Sequence, residues 1–405
     1  MAKSKKILGI DIGTTKIATV IAELDNSGRI NILGQGISSP EGFKNGVVNN
    51  LEKAVVSMAE AIESAENTAN VKAKNTEIYV GIAGEYIKYI TSVGTAPINN
   101  PSKGITNKDI NECIKQAQTI RLPNDEQIIH LIPNQFIVDG QRGIRNPLGM
   151  FGFRLEVETL LIIGSISAIE NIHRVLDSLG LKISSLVLQP EALSLVVAEP
   201  DDKDLGVAIV DIGGITNVSI YKDGVLKYYK TIPLGGINLT KDISIGLRTP
   251  YKKAEEIKKL YGSAMVSCIA HEEPIIIEDI SGRTNRQISK RLLTSIIEMR
   301  LEEILQHINE VIRSANIKES LGSGVILAGG TSKLNGIDIL AEQIFQLPVK
   351  IGSRENIAEG QTPFDSVYET ALGLVHYGLN GNNRYLMPDN NLFEQLLQTI
   401  KQLFV

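Results

Sequence analysis

The chain has 405 residues, of which 43% are hydrophobic and 21% charged, and it carries a net charge of −5. Such a length calls for two or more domains, the composition is that of a globular protein, and the acidic total argues against nucleic acid as a partner. Two distant cysteines, Cys113 and Cys268, offer neither a disulfide framework nor a zinc site and fit a reducing compartment, while the five histidines lack metal-ligand spacing.

Near the N-terminus the apolar run Ile7 to Ile10 ends at Asp11, too short for the core of a signal peptide. No window reaches the ~20 apolar residues of a spanning helix. A cytosolic protein is expected, with any membrane contact peripheral. Residues 5–15, KKILGIDIGTT, read as an apolar strand ending in Asp-Ile-Gly and small hydroxyl-bearing residues. ATVIAEL (18–24) and RINILGQGI read as second and third strands, with a tight turn at Asn26-Ser27-Gly28. The pattern returns at residues 205–217, LGVAIVDIGGITN, then VSIYKDG (218–224), a turn at Asp223-Gly224 and VLKYYKTIP. A helix-forming segment follows each meander. Two such units imply two similar domains facing each other.

A glycine-rich hairpin presents backbone N–H groups and hydroxyls to anionic oxygens. An aspartate at the strand end would repel phosphate unless a cation, usually hydrated Mg²⁺, lay between them. Gly13, Thr14, Thr15 and Lys16 would then grip one end of a polyphosphate, and Gly213, Gly214, Thr216 and Asn217 the other, with Asp11 and Asp211 holding the water shell of the metal. Ordinary hairpin turns carry such pairs too, so a third element matters. Residues 249–258, TPYKKAEEIK, form a helix that Thr249 would cap and Pro250 would open, with Gly262 near its end. Glu255 and Lys258 share one face of it. The third element is Val325-Ile326-Leu327-Ala328-Gly329-Gly330-Thr331, a buried-type strand entering two glycines on which a flat base can lie. A helix is expected from about Leu334.

After a Gly- and Asn-rich linker, 378–391, the chain ends in 392–405. Leu392, Phe393, Leu396, Leu397, Ile400, Leu403 and Phe404 form one apolar stripe at helical spacing, opposite Glu394, Gln395, Gln398, Thr399, Lys401 and Gln402. A flexible tether and a tip of Phe and Leu suit shallow burial in a bilayer surface. Lys401 is offset by Glu394, so attraction to anionic lipid, roughly 1 kcal/mol per basic residue near the surface, is nearly absent.

The two Asp-Ile-Gly turns, the Ala-Gly-Gly-Thr turn and two connecting helices, from Gln189-Pro190-Glu191-Ala192 and from Glu369-Thr370-Ala371-Leu372, resemble the actin, Hsp70 and sugar-kinase superfamily. Within it the chain is most similar to FtsA, the bacterial cell-division actin homologue. The likeness rests on GQGISSPEGFKNGVV (ending at Val48), on LVLQPEAL and PLGGINLTKDI, on an insertion over 84–163 containing GEYIKYITSVGTAPI and IIHLIPNQFIVDG, and on the terminal amphipathic helix.

The resemblance implies an α/β, actin-like (ribonuclease H-like) fold with two similar domains around a nucleotide cleft. The first would comprise 1–83 and 164–203, with the insert at 84–163. The second would be 204–377, with a smaller subdomain at about 240–315. ATP and Mg²⁺ would be the ligands, with Glu255 and Lys258 against the adenosine. Gln189 and Asp211 would be the catalytic residues of at most a slow ATPase, with Gln189 helping to position the attacking water. Either Gln189 or Glu191 could face the nucleotide. The family also implies head-to-tail filaments and other division proteins as partners. It implies a tail of the tubulin-like FtsZ docked near Arg286, Lys290 and Arg300, and peripheral attachment to the cytoplasmic face of the membrane at the division site. A small-metabolite kinase would need a carboxylate base against a substrate hydroxyl, for which no motif stands out. A chaperone would need more chain after residue 376, and the pilus-assembly relative lacks the terminal helix.

Overall fold

A computed structural model of the chain describes residues 5–25, 28–269, 271–272, 274–278, 285–352 and 365–379. The sequence-predicted linker and amphipathic helix therefore lie almost wholly outside the described residues. Two compact units emerge, the insert Tyr86–His173 and the chain that flanks it.

The flanking unit starts with β1 (Lys6–Ile12), β2 (Ile17–Leu24) and β3 (Ile30–Ser38), an antiparallel meander. All of β1 after Lys6 is buried, as a strand covered on both faces must be. A small ladder of β4 (Phe43–Lys44) and β5 (Val47–Val48) leads into α1 (Leu51–Ala69). The Asn50 side chain caps that helix on the Lys53 amide. Helix α1 lies so close to β3 that a Cβ on Gly36 would sit 2.0 Å from the Ala61 carbonyl oxygen. Strand β6 (Glu77–Ile82) then runs parallel to β1.

The insert contains β7 (Ile87–Pro97), α2 (Asn107–Gln118), β8 (Glu126–Val138), β9 (Gln141–Ile144) and β10 (Arg154–Ser165). Its antiparallel sheet has the order β7-β10-β8-β9. Thr106 and Asp109 form a capping box that starts α2, and α2 closes a core of Cys113, Ile114, Leu131, Leu155, Val157 and Leu161. The Cys113 thiol donates to the Gly94 and Leu155 carbonyls, and burial pushes it up to about 11, so it is a packing residue.

Helix α3 (Ile166–Ser178) leads back to β11 (Ile183–Leu188), which completes the first sheet, β11-β6-β1-β2-β3. Two helices, α4 (Gln189–Val197) and α5 (Pro200–Leu205), precede the second meander of β12 (Val207–Ile212), β13 (Thr216–Lys222) and β14 (Val225–Ile232). The β13–β14 turn places Asp223 at φ 56° and Gly224 at φ 77°, the two positive values a tight right-twisted hairpin needs. Beyond it come α6 (Gly236–Gly246), α7 (Tyr251–Tyr261), the hairpin of β15 (Pro274–Glu278) and β16 (Asn285–Ser289), and α8 (Lys290–Ser314). Buried Leu293, Ile297, Leu301, Ile304, Ile308 and Ile312 make one face of α8 at helical spacing. Strand β17 (Val325–Ala328), α9 (Ile337–Phe345) and β18 (Val349–Ile351) finish a second sheet, β14-β13-β12-β17-β18, and α10 (Glu369–Leu379) ends the described chain.

Two local expectations are corrected. Pro250, not Thr249, holds the N-cap position of α7, and no side chain caps it. The helix expected from Leu334 begins at Ile337, because Gly330–Lys333 form a 3₁₀ turn and Gly336 takes φ 81°. Among the described residues, no helix is long and apolar enough to cross a membrane.

Candidate functional site

Matched turns form the core of the site. The β1–β2 hairpin closes between Ile12 and Ile17, with the Gly13 amide donating to the Lys16 carbonyl (2.9 Å). The β12–β13 hairpin closes between Ile212 and Thr216, with Gly213 donating to Ile215 (3.0 Å). Asp11 pairs with Ala18 and Gly81 on its two neighbouring strands, and Asp211 pairs in the same way with Asn217 and Ala328. The two turns meet: a Cβ on Gly214 would lie 2.1 Å from Thr14 Oγ1. They open on a cavity of about 560 Å³, an ordinary size for a small-ligand site.

Asp11, Gly13, Thr14, Thr15 and Lys16 line this cavity from the first half; Asp211, Gly213, Gly214 and Asn217 line it from the second. Tyr229 and Thr231 donate to Asn217 Oδ1 at 3.1 and 2.9 Å and fix its amide. Gly329, Gly330 and Thr331 supply a further wall, and Gly329 must lack a side chain, since a Cβ there would sit 2.2 Å from Asp211 Oδ1. Glu255 and Lys258 also line the cavity, 2.7 Å apart. Lys258 reaches the Gly236 carbonyl (3.1 Å) and Thr240 Oγ1 (2.9 Å), while the Thr240 hydroxyl donates to Glu255. That polar clasp holds α7 against the N-terminal turn of α6.

Thr216 is corrected out of this set. It is fully buried and donates to the Leu234 carbonyl (2.8 Å), on the strand face opposite Asn217. The ambiguity at α4 is resolved in favour of Gln189, which lines the cavity and donates to the Ile12 carbonyl (3.1 Å). Glu191 instead accepts from the Tyr221 hydroxyl (3.1 Å). Glu369, Tyr251 and Lys259 are among the lining residues that sequence reasoning missed. Glu369 opens α10 and is buried. A charged residue at the start of an otherwise apolar helix was the signal that could have found it.

Burial pushes the Asp11 carboxyl up to about 7, with Lys16 pulling it back and Asp211 raising it further. Burial likewise carries Asp211 to about 6 against the pull of Lys16. The Lys16 ammonium is depressed by burial, against attraction from Asp11, Asp211, Glu369 and Asp365, and it donates to the Val367 carbonyl. Two reluctant carboxylates at the strand ends suit a hard cation. No cage of three or more His, Cys, Asp or Glu exists among the described residues. Asp11 and Asp211 are the strand-end carboxylates on this wall that could hold a hard cation, and with two of them such an ion would keep most of its waters.

The residues singled out for a partner lie elsewhere, on β16 and α8. Arg286 donates to the Leu247 carbonyl, and Arg300 is engaged by Asp242 and Glu303. Among the described residues, the ion pairs of these three belong to Arg300.

The chain matches the family described as cell division protein FtsA over residues 208–373, and the SHS2 domain inserted in FtsA over residues 84–163. It is 35% identical to the cell division protein FtsA of Neisseria meningitidis serogroup B over 392 residues, covering 95% of this chain and 93% of that one. The Bacillus subtilis FtsA is 34% identical, covering 93% and 84%. Among solved structures, a chain of a PilM-PilN type IV pilus biogenesis complex superposes with a TM-score of 0.64 at 17% identity, covering 92% of this chain and 98% of that one. MreB5 of Spiroplasma citri bound to ADP does so with a TM-score of 0.54 at 16% identity, covering 92% and 96%. At that identity the structural neighbours establish the actin-like fold alone. Sequence identity carried through the insert and both halves is a stronger bond, and by it this chain belongs to the FtsA family, the actin homologues of cell division.

Proposed function

We propose that the cavity binds Mg²⁺-ATP, and that the bound chain assembles into filaments that tether FtsZ to the cytoplasmic face of the membrane at the division site. Residues 392–405 would be the lipid contact. One observation carries the nucleotide reading: two hairpins of equivalent register bring Asp11 and Asp211 to the same cavity, with Lys16 between them and the Glu255–Lys258 clasp also on its wall. The resident ADP of the MreB5 neighbour accords with it.

The N–H groups and hydroxyls of residues 13–15 and 213–214 would bind the phosphates, and Lys16 would leave the Val367 carbonyl to join them. Asp11 and Asp211 would order the hydrated Mg²⁺, which neutralises phosphate charge when bound. Gln189 would orient the water that attacks the terminal phosphorus, yielding ADP and inorganic phosphate. An amide is a poor proton acceptor, so turnover should be slow. Nucleotide spanning both hairpins would favour the closed, assembly-competent arrangement of the halves. Heterologous contacts between copies would extend as open filaments. Since Asp242 and Glu303 hold Arg300, Lys290 and Arg286 are the more available cations for an acidic peptide of FtsZ.

Co-sedimentation with liposomes in Mg²⁺-ATP, comparing the full chain with one ending at Asn391, tests the reading. Pelleting of the full chain alone, improved by ATP, is the expected result. If both stay in solution, the tether falls and an adaptor or kinase role takes its place.

A further inference from the structure

Strand β13 carries a stripe of polar side chains two residues apart, Asn217, Ser219 and Tyr221, on one face. Asn217 lines the cavity. Tyr221, four residues on, is 1% exposed, and its hydroxyl lies 3.1 Å from the Pro190 carbonyl and 3.1 Å from Glu191 Oε1. A phenol from the second sheet thus reaches the first turn of α4, the helix whose first residue is Gln189. The start of that turn lacks a side-chain cap. Leu188 provides no side-chain cap, and Pro190 has no N–H to give.

The surroundings keep Tyr221 in one place. The Lys203 ammonium sits 5.3 Å from the centre of its ring and donates to Ser194 Oγ (2.9 Å), which in turn donates to the Glu191 carbonyl (2.7 Å). Burial holds the phenol far above its ordinary titration range, so it remains a donor. On the other side, the Gln189 amide donates to carbonyls of the first sheet, Ile12 at 3.1 Å and Gly81 at 3.5 Å. The first turn of α4 is therefore held from both halves, the Gln189 amide by the first sheet and Pro190 with Glu191 by Tyr221 of the second.

We propose that Tyr221 is a positioning residue: through Pro190 and Glu191 it sets the first turn of α4, and so the place of the Gln189 amide, according to where the second half stands. Movement of β13 with the second half would shift that turn, and Gln189 would reach its working position only when the halves have closed. This rests on the nucleotide reading above and deepens it.

The test measures, on the full chain, affinity for a fluorescent ATP analogue with Mg²⁺ and single-turnover phosphate release. Tyr221→Phe should bind within about twofold of the unaltered chain yet release phosphate about tenfold more slowly, the effect of a displaced but intact group. In a Gln189→Ala background, Tyr221→Phe should change release by less than about twofold, because its effect runs through that amide. Glu191→Gln, which still accepts the phenol, should keep the rate, and Glu191→Ala should lower it. These two carry the test if Tyr221→Phe does not fold. Equal losses of affinity and rate, or an undiminished effect of Tyr221→Phe without Gln189, overturn the proposal. Binding without any phosphate release by the unaltered chain overturns it too and leaves the nucleotide reading intact, whereas absence of binding removes that reading itself.

Discussion

Asp11 and Asp211 keep their protons to about pH 7 and 6, well above the ordinary 3.8 of an aspartate, mainly because burial strips water from the ionised form. The folded chain then binds more protons than the unfolded one between those values. The stability these groups contribute is complete below their unfolded pKa and is lost as pH rises through the folded values. The melting temperature of chain free of nucleotide and magnesium should therefore fall between about pH 5 and about pH 8, and Asp11→Asn should flatten the fall. An unchanged slope in the variant would mean that another group is responsible. The polar residues that the two hairpins bring to the cavity were legible from glycines and hydroxyls clustered at two strand ends, whereas apolar lining residues such as Ile37, Ala83 and Leu193 carried no such signal. Thr216 was misassigned because adjacent strand residues face opposite ways, and Asn217 had already claimed the cavity side. Glu303 lies three residues from Arg300 on one helix and was open to a spacing argument, but no spacing rule could have shown Asp242, which comes from α6 and is brought to α8 only by tertiary packing.

At the level of elements, α4 and α10 cross in close contact beneath the cavity. A Cβ on Gly373 would lie 2.0 Å from the Ala192 carbonyl oxygen. Backbone cannot retreat there as a flexible side chain could. Gly373→Val should cost about 3 kcal/mol or more, read as a lower denaturant midpoint, with nucleotide affinity weakened in step. A midpoint near that of the unaltered chain would show that the helices can separate without loss. Both helices were expected from the family resemblance, but their mutual contact was not, because it depends on how two distant segments fold back. The meanders were easier to read, each strand being bounded by turn residues. The final segment, 392–405, offers an independent prediction. With Lys401 set against Glu394, pelleting with liposomes should change by less than about twofold between about 0.1 and about 0.5 M NaCl, since screening acts on charge and the proposed contact is through the apolar stripe. A steep loss would instead point to a basic surface elsewhere.

For the whole molecule, the proposed lipid contact and self-assembly would reinforce one another. Each copy joined to a filament would raise the effective concentration of the next copy's residues 392–405 at the bilayer without any new contact. Bound fraction against concentration should be sigmoidal for the full chain with Mg²⁺-ATP and hyperbolic for the isolated peptide 392–405. Two hyperbolic curves would mean that copies attach singly. The twofold architecture itself was legible from the repeated Asp-Ile-Gly strands. One difference between the copies has a wider meaning. The first turn spans four residues, 13–16, and includes Lys16; the second spans three, 213–215, and has no cation. Strand register is the same on both sides, so a single additional residue at one tip is enough to divide labour between halves of common plan. A ligand entering from either direction meets unlike ends, and the doubled fold accordingly imposes a head and a tail on whatever it holds.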